Sequence, residues 1–172
     1  MGEREIRPVD RRRWQNGIVR VLERFPREYA ALESAMGSFA DDFELRAFKR
    51  AFDFVDGVEA YNRAQAVERA VGRVQNFLAD LAELGTKLAR LSPPRERGSA
   101  VERAFCSLRD AGVIDGELRA QLSETQRART RIEHFYLDVT AGEVHRAARL
   151  VRDIAPRFLE RYVDWIEPYL PR

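Results

Sequence analysis

The sequence predicts an all-α protein, a helical bundle of five or six helices, on three observations. Apolar residues recur at intervals of three and four along most of the 172-residue chain. Two helix starts carry the capping-box pattern, Ser99 with Glu102 and Thr140 with Glu143. No segment alternates apolar and polar residues for long enough to make a useful strand.

Each element follows from local signals. Residues 1 to 9 read as a charged lead, after which Asp10 is placed to cap a first helix. Trp14, Ile18, Val21, Leu22 and Phe25 give that helix its apolar face until Pro26 interrupts it. A second short helix, Pro26 to Gly37, starts on the proline and carries Tyr29, Leu32 and Met36. These 40 residues are expected to form an N-terminal helical extension, with residues 41–172 as the main domain. A third helix is expected from about Asp41 to Val55, with Phe43, Phe48, Phe52 and Val55 apolar and Gly57 marking a weak point. From Val58 to about Leu91 the period persists through Val67, Val71, Val74, Leu78 and Leu81, which predicts the long backbone helix of a bundle.

Ser92-Pro93-Pro94-Arg95-Glu96-Arg97-Gly98 is the clearest loop. The helix that Ser99 starts is expected to end near Gly112. Beyond the turn at Asp115-Gly116, Leu118, Leu122, Ala128, Ile132, Tyr136 and Val139 trace one face of another helix. The last begins after Thr140 and buries Val144, Ala148, Val151 and Ile154, with Pro156 kinking or restarting it. Phe158, Tyr162 and Trp165 continue an aromatic face, open to a core or to a protein partner.

Composition narrows the function classes. The 30 basic residues nearly match the 28 acidic ones, so a net charge of +2 permits nucleic-acid binding without arguing for it. Lys49 and Lys87 are the only lysines; the arginine bias suits phosphate forks. The single cysteine, Cys106, excludes an internal disulfide and a cysteine zinc cluster and reads as a small buried hydrophobe. The charged start and the lack of an apolar run of about 18 residues lead to the expectation of a cytoplasmic protein without membrane attachment. Phosphate-binding glycine loops, H-E-x-x-H and a nucleophile elbow are all absent.

Chemistry concentrates in Arg129-Thr130-Arg131-Ile132-Glu133-His134-Phe135-Tyr136. Histidine exchanges protons near neutral pH and arginine grips phosphate through paired hydrogen bonds, a combination that suits phosphodiester cleavage without a metal. On one straight helix Arg129 and His134 stand roughly 140° apart, whereas Arg131 and His134 share a face. Either the helix bends, or two chains meet and share a composite site, for which a twofold dimer is the simplest arrangement.

An arginine, four residues, a histidine, one residue and a tyrosine at the end of a helix resembles the R-x4-6-H motif of HEPN-domain ribonucleases. The form ending in H-x-Y resembles the HepT toxins, which pair with a minimal nucleotidyltransferase antitoxin. The likeness runs from Ser99 to about Phe158, through Phe105, Gly112-Val113-Ile114-Asp115, Leu118, Leu122 and Asp138-Val139; from about Phe43 to Leu91 it lies only in pattern. It implies a dimeric HEPN-like bundle that cuts RNA, tRNA or mRNA, as the metal-independent endoribonuclease toxin of a toxin-antitoxin system, with no cofactor. His134 would transfer protons, Arg129 would stabilise charge at phosphorus, and Tyr136 would be the tyrosine that the antitoxin modifies with AMP. Arg127 and Arg131 would contact phosphate; they equally suit a solvated face paired with Glu124 and Asp138. Thr130 stands where the family often has asparagine, which keeps a hydroxyl for a substrate contact but loses the amide. Glu133 stands where an apolar residue is commoner; it raises the histidine pKa, repels RNA or faces solvent. These departures leave a second reading, a HEPN module without catalysis that binds nucleic acid or nucleotide beside a nucleotidyltransferase. His145, on the next helix, is expected to be exposed.

Overall fold

The computed structural model describes residues 7–39, 42–134 and 138–171, and their regular secondary structure is all helical, without strands. Six α-helices follow in order: α1 Pro8–Gly37, α2 Leu45–Phe52, α3 Gly57–Leu88, α4 Ala100–Asp110, α5 Gly116–His134 and α6 Ala141–Ile166, closed by a 3-10 turn over Glu167–Tyr169. No described helix is long and apolar enough to cross a membrane.

The long central helix is α3, and each of the other five packs against it. Its buried stripe alternates small and larger side chains, Ala60, Ala64, Val67, Val71, Val74, Leu78, Leu81 and Ala82 among them. Small residues let neighbouring backbones approach while the larger ones fill the space between. At Gly85 the approach is closest: a Cβ there would strike the Tyr162 ring and lie 2.9 Å from Trp165 Cζ3. Tyr162 is fully buried and donates its hydroxyl to the Leu81 carbonyl at 2.6 Å, and burial raises its pKa.

Contacts along the helices fix their directions. Gly17 faces Leu84, Phe25 meets Phe77, and Arg63 lies over Phe39, so α1 runs antiparallel to α3. Gln15 donates to the Tyr169 carbonyl and Tyr29 to that of Arg152, so α6 is antiparallel to α1 and parallel to α3. Asp115 with Arg161, and Arg131 with Glu143, make α5 antiparallel to α6. One end of the bundle therefore collects the end of α1, the starts of α3 and α6, and the end of α5 with His134.

Several expectations are corrected. Pro26 does not divide the N-terminal region, because α1 runs through it as a single 30-residue helix. An interior proline costs about 3 kcal/mol, but Ile18, Val21, Phe25, Leu32 and Met36 are buried on both sides of it, and that burial outweighs one lost hydrogen bond. Asp10 lies inside the first turn, where its carboxylate pairs with Arg7 at 2.7 Å. The third helix is shorter than expected: Phe43 and Phe54 both take left-handed backbone, φ 50 and φ 63, and bracket α2. Phe43 gains in return an aromatic cluster with Phe39, Phe48 and His145. His145 is buried, not exposed: its ring stacks on Phe43, and its Nε2 donates to the Phe43 carbonyl at 2.6 Å. A carbonyl only accepts, so Nε2 carries the hydrogen. Pro156 does not restart α6, which runs continuously from Ala141 to Ile166. The aromatic face of α6 is core, since Phe158 and Tyr162 are fully buried.

Replacing Gly85 by alanine tests the close approach. Helix propensity alone would favour alanine by about 1 kcal/mol, but the Cβ would displace a buried ring, at a cost of about 1–3 kcal/mol. The expected outcome is a lower melting temperature for Gly85→Ala, read by circular dichroism.

Candidate functional site

The site is built on the end of α5 and the start of α6. Thr140 caps α6 with a complete capping box: its hydroxyl accepts from the Glu143 N–H at 3.3 Å, and its own N–H donates to Glu143 Oε2 at 2.9 Å. The other carboxylate oxygen of Glu143 takes Arg131 Nη2 at 2.9 Å. One carboxylate therefore caps α6 and ties it to the last turn of α5. Its pKa is held below the ordinary range, first by the Thr140 N–H, then by the Thr140 hydroxyl and the charges of Arg131 and Arg146, against the opposing effect of desolvation. At Ser99 only half of the box forms: its hydroxyl accepts from the Glu102 N–H, while the Glu102 carboxylate accepts from Ser123 on α5 at 2.6 Å.

Behind this joint a buried polar chain holds α5 on α3. Thr125 donates to Gln75 Oε1 at 2.7 Å, and Gln75 Nε2 donates to Gln126 Oε1 at 3.2 Å. Gln75 is completely buried, so each of these bonds offsets a desolvation cost of about 1–3 kcal/mol.

The motif residues divide between two faces of α5. His134 is exposed in the last turn. Arg131 lies one turn before it and Arg127 two turns before it, on the same side. Arg129 stands on the opposite side: its Nη2 pairs with Glu133 at 2.8 Å and it lies within electrostatic reach of Asp80 on α3. Its side chain is 24% exposed, and Nε is buried without a hydrogen-bond partner among the described residues. The Asp80 carboxyl is raised above its ordinary pKa by desolvation and by Glu83, with Arg129 pulling the other way. The helix continues unbroken through Arg129 and His134, so within one chain it does not bring them to one point. Thr130 turns its hydroxyl back onto the Gln126 carbonyl at 3.0 Å, a bond that stays within the helix. Tyr136 lies outside the described residues.

Arg127 and Arg131 border a groove of about 170 Å³ between α5 and α6. Its floor is apolar, formed by Ala128, Ile132, Val139, Ala147 and Leu150, and Arg146 of α6 completes the basic rim. The carboxylates at the rim are Glu124 and Glu143. Arg146 has no counterpart in the sequence reading. Its only local signal is the spacing of three from Glu143, which becomes informative once α5 and α6 are known to lie antiparallel. The Arg129 to Glu133 pair, in contrast, has the i,i+4 spacing of a helical ion pair. Among the described residues no group of three or more His, Cys, Asp or Glu stands together as a metal site.

Comparison with protein-family models, with curated proteins and with solved structures finds no match to this chain.

The clamp at Glu143 has a pH signature. A carboxylate whose pKa is depressed by folding contributes stability that is present above its unfolded value, about 4.3, and is lost as pH falls through the folded one. Glu143→Gln is therefore expected to lower the melting temperature near neutral pH. The gap from the parent protein should narrow between about pH 5 and pH 3, as thermal melts across that range would show.

Proposed function

We propose that this chain is a metal-independent endoribonuclease of the HEPN, HepT-like kind, acting as the toxin of a toxin-antitoxin pair. The observation that carries the reading is the exposed His134 at the end of α5, in line with Arg127 and Arg131 beside a groove whose rim is basic. In this reaction the ribose 2'-oxygen attacks phosphorus and the bond to the 5'-oxygen breaks, leaving a 2',3'-cyclic phosphate and a 5'-hydroxyl. His134 takes the 2'-hydroxyl proton or supplies one to the leaving oxygen. Arg127 and Arg131 hold phosphates along the strand, and Arg129 meets the charge that develops on the phosphorane.

Because Arg129 lies across α5 from His134, the complete site takes its arginine from a second copy of the chain, with the ends of two α5 helices facing across a twofold axis. Arg129 must also leave Glu133 to do so. A nucleotidyltransferase antitoxin would silence the site by placing AMP on Tyr136, where a bulky anion excludes RNA by size and by charge.

Two observations favour a second reading, a binding module that has lost catalysis: Arg129 is held by Glu133, and the Thr130 hydroxyl is spent on its own helix. The two readings separate in a single assay. The purified, unmodified protein is incubated with tRNA and with unstructured RNA in EDTA, beside Arg129→Ala and His134→Ala. Cleavage that leaves cyclic phosphate ends and falls by about 10²–10⁴ in His134→Ala supports the nuclease. RNA that stays whole, or variants that cut as well as the parent, would leave only the binding module.

Glu133→Gln gives an independent check. Releasing an exposed ion pair worth at most about 1 kcal/mol should raise the cleavage rate by up to about fivefold. A fall in rate would mean that Glu133 orients Arg129 rather than withholding it.

A further inference from the structure

We propose that the groove between α5 and α6 is a base pocket, taking one nucleobase of a bound RNA while Arg127 and Arg146 hold the phosphates on either side of it. The proposal depends on the ribonuclease reading only in taking RNA as the ligand.

Two properties of the groove select this occupant. Its floor is made of Ala128, Ile132, Val139, Ala147 and Leu150, with no charged group among them. Its rim, in contrast, is cationic in excess. Arg131 is neutralised by Glu143, whereas Arg127 and Arg146 make no ion pair among the described residues, and Glu124 is the one other carboxylate at the rim. An uncharged apolar ligand would leave two guanidinium groups beside it without a partner. A bare phosphate would leave the apolar floor wet. A nucleobase between two phosphates satisfies both, since its flat face covers apolar surface and its flanking anions meet arginine forks.

The groove is also held open in advance. At its mouth the Arg131 to Glu143 bond at 2.9 Å bridges α5 and α6. Along its length Thr125, which lines the groove, is anchored through Gln75 to α3. A pocket fixed in this way loses little conformational freedom when it is filled. Its position gives it a part in specificity: Arg131 is in the rim, and His134 lies one turn further along the same face of α5. The nucleotide in the groove is thus a neighbour of the phosphodiester that His134 would serve, and the fit of its base would set where the strand is cut.

The test measures binding apart from cleavage. Full-length His134→Ala protein is titrated into a labelled single-stranded RNA, and into an abasic ribose-phosphate strand of equal length, with fluorescence anisotropy as the readout. The expected result is about tenfold tighter binding of the strand that has bases, from the apolar area that a base removes from water. Leu150→Trp, which fills the groove, should abolish that preference and keep the weak backbone binding. Arg146→Ala should weaken both strands alike and reduce the salt dependence. Ala128→Leu serves as a second filling variant if Leu150→Trp melts early. Equal binding of the two strands by the parent groove overturns the proposal; so does a folded filling variant that keeps the preference. A groove made for an acidic peptide would give the first of these results. Cleavage by the unmodified protein without base-dependent binding removes the pocket and keeps the nuclease. Base-dependent binding without cleavage does the reverse.

Discussion

Every helix of this bundle finds its place by burying a face against α3, and the candidate site inherits its geometry from that constraint. The stripe along α3 is built of alanine, valine and leucine, with Gly85 where Tyr162 and Trp165 come nearest. Full burial of one such aliphatic or aromatic side chain contributes about 1.5–3 kcal/mol, far more than any exposed ion pair at the motif. The apolar stripe therefore decides where α5 and α6 lie, and the polar groups adjust to it. Gln75 is the exception that adds direction: a buried amide must be bonded, and its two partners on α5 fix how that helix is turned.

Glu143 converts this packing into a site. Its two oxygens serve two helices, one closing the cap of α6 and the other holding Arg131. The result is a stable notch between α5 and α6, apolar below and basic above. Arg129, meanwhile, pairs with Glu133 on its own helix and lies within reach of Asp80 on α3, which supply the charge it would otherwise seek in a ligand. The resting chain thus keeps Arg129 and Arg131 paired with carboxylates and leaves Arg127 and Arg146 at the groove without an ion pair among the described residues.

Helical spacing and capping chemistry made much of this architecture legible beforehand. The extent of α3, the loop from Ser92 to Gly98, the start of α6 at Thr140 and the burial of Cys106 all follow from short-range rules. Pro26 misled, because the rule that proline stops a helix is local, and a long buried face on both sides overrides it. His145 misled for a related reason. It stands one position past the apolar Val144, and the aromatic ring that buries it, Phe43, is more than one hundred residues away in the chain.

What the sequence determined by itself was the helical class, the caps, and the gathering of Arg127, Arg129, Arg131 and His134 on one helix, since these depend on residues within a few positions of one another. Only the tertiary structure decided which of those side chains meet a groove and which meets a carboxylate. That outcome depends on the antiparallel seating of α5 against α6 and on the bonds through Gln75. It also brought in Arg146, which no spacing along α5 announces. Side-chain chemistry is written residue by residue, but the face that a helix offers to solvent is whatever remains after its neighbours have covered the rest.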